Sequence, residues 1–134
     1  MDFASFGGTC TIAEPFDAGL KRVRRVFRAA GLSISGEDDV CGRRRDSGMA
    51  TTRCRVLYLD SPLLLFEALA LDRGAAVFLP LHVLVRPEGR QTRVHWINPA
   101  AVFGTRLPAG AAIPIYDLQV RLAGALATLN GAEG

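Results

Sequence analysis

Residues 16–31 constrain the fold more than any other segment of the chain. Phe16, Leu20, Val23, Phe27 and Ala30 recur at steps of three and four, which gathers them into one apolar stripe on a helix, while Lys21, Arg22, Arg24, Arg25 and Arg28 fill the opposite side. Gly31 falls where a left-handed C-cap belongs, and Leu32 is placed to pack back on the last turn. Glu14-Pro15-Phe16-Asp17 opens the helix with a proline and two acids, which suit the positive end of a helix dipole. A helix with so narrow an apolar stripe must lie on the surface of a larger core, so the remaining segments must supply that core.

They read as short strands and two further helices. Strands are predicted over residues 9–13, 32–40, 53–60, 76–86 and 92–98, and a polar loop over residues 41–52. Ser61 caps a helix whose first position is Pro62, running to about Asp72 and stopping at Gly74. Its leucines, Leu63, Leu64, Leu65, Leu69 and Leu71, imply burial on more than one side. Pro80 would remove a ladder hydrogen bond and predicts an edge position, a bulge or a strand start. Pro87-Glu88-Gly89-Arg90 suits a hairpin turn. After a connection rich in Gly, Ala and Pro to Ile113, a last helix carries Ile115, Leu118, Leu122, Leu126 and Leu129 on one face. The order β-α-β-β-α-β-β-α predicts an α+β two-layer sandwich, with a mostly antiparallel sheet and helices on one face.

A length of 134 residues makes a single domain spanning residues 1–134, its core about 9–130. Mean hydropathy is +0.21, yet no stretch without Asp, Glu, Lys or Arg exceeds twelve residues (residues 74–85, for example), short of the ~20 that span a bilayer. With no signal-peptide pattern at the N-terminus, a cytoplasmic protein without a membrane partner is expected. Three cysteines, Cys10, Cys41 and Cys54, lack CxxC spacing and read as reduced, buried thiols. The net charge is +3, and Lys21 is the only lysine among sixteen basic residues. Arg43, Arg44, Arg45, Arg53 and Arg55 could meet phosphate, but Asp38, Asp39 and Asp46 sit among them and no aromatic residues interleave, so a solvated surface is expected and not a nucleic-acid site.

Three stretches together resemble the bacterial and archaeal family known as domain of unknown function 302. The first runs from Phe16-Asp17-Ala18 through Gly31-Leu32-Ser33-Ile34 to Glu37-Asp38-Asp39-Val40. The second comprises Ser61-Pro62, Ala68-Leu69, Leu71-Asp72 and Leu79-Pro80, then Val83 and Val85. The third is the hairpin return ending in Asn98-Pro99. The resemblance implies a compact two-layer domain, often dimeric, with no established activity. Many members carry cysteines where this chain has Asp60 and Leu81, so the resemblance implies no thiol or metal role here.

The sequence contains no phosphate-cradling loop, HExxH motif or nucleophile elbow. Its candidate site residues come from hairpin geometry. If partners across the hairpin sum to 177, His82 faces His95, Leu81 pairs with Trp96 and Val83 with Val94, with Arg86, Gln91 and Arg93 on the histidine face. A three-residue loop with Gly89 left-handed makes the sum 176 and separates the histidines. Paired histidines could hold an anion, sense pH, or share a transition metal with Cys54 or Asp60 as a third ligand. Asp60-Ser61-Pro62 is the second place to look, because a carboxylate at a strand end beside a helix N-terminus either caps the helix or meets a ligand. The expected function is a non-catalytic ligand-binding or association module that uses no cofactor, takes a small-molecule ligand at His82, His95, Asp60 and Ser61, and dimerises through the sheet face or an edge strand. The alternative is a metal-binding protein or enzyme using His82, His95 and Asp60.

Overall fold

The structure, a computed structural model, describes residues 7–39, 53–71, 73, 81–97 and 109–131. Its elements are β1 (Gly7–Ile12), α1 (Phe16–Ala29), β2 (Ser33–Asp38), β3 (Arg55–Asp60), α2 (Pro62–Leu71), β4 (Leu81–Glu88), β5 (Gln91–Ile97) and α3 (Ala109–Gly131). The polar loop over residues 41–52, with Arg43, Arg44, Arg45 and Cys41, lies outside the described residues, as do Gly74 and Pro80. The expected element order is observed. α3 starts four residues ahead of Ile113, and β4 starts at Leu81, directly after the proline.

All strand pairings are antiparallel, in the order β1-β5-β4-β3-β2. One face of the sheet contributes Cys10, Ile12, Leu57, Leu59, Val83, Val85 and Val94 to the core. There they meet Phe16, Leu20, Val23 and Phe27 of α1 and Leu118, Leu122, Leu126 and Leu129 of α3. This is the face that the apolar stripe of α1 requires. α2 lies along α3.

Local chemistry fixes the ends. α1 closes with Gly31 at φ +84°, its N–H donating to the Arg28 carbonyl, while the Leu32 N–H reaches the Phe27 carbonyl at 3.0 Å. That is a Schellman cap, with Leu32 buried behind it. At the edge of the helical layer, Arg24 of α1 grips Glu37 of β2 through Nε and Nη2, both at 2.6 Å, and Arg55 of β3 joins at 3.3 Å. Arg53 bonds Asp17 and lies over the Phe16 ring, 4.7 Å from its centroid.

The hairpin register differs from both alternatives read from the sequence. Glu88 pairs with Gln91, Arg86 with Arg93, Leu84 with His95 and Val83 with Trp96, so partners sum to 179. The turn is Gly89-Arg90 alone. Gly89 takes φ +61° and, among the described residues, no non-glycine residue is at positive φ, so Arg90 is not; this is the glycine-first pattern of a II′ turn. Pro87 and Glu88 therefore belong to the strand. The shift from 177 is two residues and preserves parity, so the expected faces stand while the pairing partners change.

The cysteines also differ from expectation. Cys10 is a free, buried thiol of β1, but Cys54 is disulfide-bonded. The lack of CxxC spacing, from which three reduced thiols are expected, does not say which cysteines the fold brings together.

Candidate functional site

The face of the sheet turned away from the helices is built by alternation. On β3 it receives Val56, Tyr58 and Asp60; on β4 His82, Leu84, Arg86 and Glu88; on β5 Gln91, Arg93, His95 and Ile97. The registers of the three central strands then set rows across this face. Val56, Leu84 and His95 form one row, and Tyr58 and His82 the next, with Ile97 coming level as the hairpin register continues. Val56, His82, Leu84, His95, Trp96 and Ile97 line an open groove of about 240 Å³.

His82 and His95 are thus neighbours on one face but do not face each other; Leu84 stands opposite His95. His82 is exposed and packs edge-on to Tyr58, with centroids 5.1 Å apart and planes at 82°. The His95 Nε2 accepts a 2.9 Å bond from the Arg86 Nε. An acceptor nitrogen carries no proton, so the neutral ring holds its proton on Nδ1. Burial pushes the His95 imidazole below its ordinary value; the charges of Arg86 and Arg93 push the same way, and Glu88 opposes them.

Arg86 and Arg93 face each other across the strands, an arrangement that costs energy unless a counter-charge intervenes. Glu88 supplies it, with Oε1 on Arg86 at 3.3 Å and Oε2 on Arg93 at 3.0 Å. Arg93 also reaches the Thr9 hydroxyl at 3.5 Å, while its Nε is buried without a partner among the described residues. The groove therefore ends on a fixed cationic cluster, with the imidazole of His95 as the link.

Asp60 ends β3 on the same face but does not line the groove; burial raises its carboxyl above the ordinary range. Ser61 is buried at the step into α2, whose first residue is Pro62. Among the described residues no group of three or more His, Cys, Asp and Glu side chains is placed to hold a metal ion. The Cys10 thiol is pushed up to about 11 by burial, which keeps it protonated and unreactive. Sequence reasoning missed Val56 and Tyr58, because the pairing of β3 with β4 is formed across an intervening helix and has no local signal.

These features define an α+β two-layer sandwich with an open antiparallel sheet face. The sequence matches the family described as "Domain of unknown function DUF302" over residues 8–129. The chain belongs to that family. Among solved structures it is similar to the crystal structure of an uncharacterized conserved protein DUF302 from Bacillus stearothermophilus, with a TM-score of 0.80 and 18% sequence identity, covering 92% of this chain and 98% of that one. No curated protein matches the chain. No helix among the described residues is long and apolar enough to cross a membrane.

Proposed function

We propose that this protein is a non-catalytic binding module whose ligand lies on the open sheet face, in the groove at His82, Leu84 and His95. One observation carries the reading: apolar walls (Val56, Leu84, Ile97) converge with two imidazoles on rigid central strands, beside a cationic cluster. Small-molecule sites combine apolar lining with a few fixed polar groups in this way. At about 240 Å³ the groove falls just under the roughly 300–1,000 Å³ usual for such sites, which points to a ligand the size of an amino acid. The Arg86 bond fixes the His95 tautomer, so a ligand acceptor is met by Nδ1–H. Asp60 and Ser61, expected as ligand residues, act in this reading at the strand end and helix start instead.

The test is a thermal-shift screen of untagged protein with aromatic and aliphatic acids, amides and amines of about ten heavy atoms. At least one class should raise the melting temperature of the wild type and not that of Leu84→Trp, whose indole fills the groove. Shifts that survive in Leu84→Trp would contradict the reading.

A further inference from the structure

The groove on the sheet face offers one polar group whose hydrogen-bonding sense is fixed. Arg86 Nε donates to His95 Nε2 at 2.9 Å, and a guanidinium is not deprotonated in proteins. Burial holds the ring neutral, so Nε2 stays the acceptor and Nδ1 the donor, and whatever meets the Nδ1 edge must bring a lone pair. The charge behind that donor is positive. Arg86 and Arg93 stand opposite each other and share a single carboxylate, Glu88, so two guanidiniums against one acid leave one positive charge over. Arg93 adds only a 3.5 Å bond to the neutral Thr9 hydroxyl, and its Nε has no partner among the described residues. Two other acids that the registers put on this face, Asp38 opposite Val56 and Asp60 at the end of β3, do not line the groove.

We propose that the ligand of this groove is an organic carboxylate with a compact apolar body. The body covers Val56, Leu84 and Ile97, and the carboxylate accepts from the His95 Nδ1–H in the field of Arg86 and Arg93. This rests on the groove being the binding site and adds the class of molecule that it takes. Competing classes use less of what the groove offers. A primary amide can accept the same bond, but a bond to a charged acceptor is about twice as strong as one between neutral groups, and the amide gains nothing from the spare positive charge. An ammonium has no lone pair to offer and is repelled by that charge. Inorganic phosphate meets the charge but leaves the apolar walls in water.

Calorimetric titration of untagged protein at pH 7.5 and low ionic strength with phenylacetate, phenylacetamide and phenethylamine tests the inference, because the three share one body and differ in the head group. Phenylacetate should bind about tenfold more tightly than phenylacetamide, with phenethylamine the weakest. Two variants move the charge in opposite directions. Arg86→Gln keeps an N–H for His95 Nε2 and leaves Arg93 matched by Glu88, so phenylacetate should weaken roughly three- to tenfold while phenylacetamide is unchanged. Glu88→Gln adds a positive charge and should tighten phenylacetate by a similar factor. A merely structural disturbance would weaken both ligands in both variants. Amide or amine binding that matches or exceeds that of the acid, and is blocked by Leu84→Trp, would overturn the carboxylate and leave the groove as the site. Phenylacetate binding that survives in Leu84→Trp would overturn both. Phenylacetate affinity indifferent to both charge variants, or no binding of any of the three at millimolar concentration, would overturn the carboxylate.

Discussion

His95 is the residue whose protonation state decides the character of the groove. With its folded value depressed, it is neutral in the native protein, while the unfolded chain takes up a proton near the ordinary 6.5. Stability present above pH 6.5 is therefore lost as pH falls through 6.5 toward the folded value, and the loss levels off below that value. Urea titrations from pH 7.5 to 5 should show this slope in the wild type and a shallower one in His95→Gln, which can still accept from Arg86. Glu37 acts lower on the scale. Arg24 holds its carboxyl below the ordinary 4.5, so its contribution is present above that pH and is lost as pH falls through the folded value; Glu37→Gln should flatten the acid limb. Two glycines give a paired prediction. A Cβ at Gly19 would collide with the buried Thr92 side chain, whose hydroxyl donates to the Glu14 carbonyl, whereas a Cβ at Gly124 meets nothing within 4 Å. Gly19→Ala should cost about 1–3 kcal/mol, and Gly124→Ala in mid-helix should stabilise by about 0.5–1 kcal/mol, both read as midpoints of urea unfolding.

The elements differ in how far the sequence disclosed them. α1 was legible to its cap, because the stripe from Phe16 to Ala30, Gly31 and Leu32 are all local signals. The faces of β4 and β5 were legible too, since alternation survives a shift of two residues. Their register was not: Pro87-Glu88-Gly89-Arg90 holds turn-forming residues at every position, and only the structure shows that the chain reverses at Gly89-Arg90. Gly89→Val should therefore cost about 1–2 kcal/mol through its positive φ alone. α2 misled the reading for a different reason. Its leucines argue for burial, and Leu63 and Leu69 are instead exposed. The disulfide at Cys54 was hidden because the spacing of the three cysteines does not mark which of them are bonded. Thiol titration of denatured protein should find fewer than three thiols per chain before reduction and three after it.

For the whole molecule, the two layers divide the work. The helical layer buries the core against one side of the sheet, while on the other side, among the described residues, the groove lies open over the three central strands. The fold was legible in the sequence because element order and periodicity carry it, and the family because the three stretches that resemble it stand in the right order. The groove was legible only in part: His82 and His95 were found, but Val56 and Tyr58 arrive through a pairing of strands separated by α2. The most direct test of the groove as the binding site is a ¹H–¹⁵N titration of the folded protein with the best ligand from the thermal-shift screen, including the histidine side-chain resonances. The shifts should concentrate on Val56, His82, Leu84, His95 and Ile97, with the His95 ring remaining a neutral Nδ1–H tautomer. Shifts confined to α1, α2 or α3, with the histidines unmoved, would contradict the account.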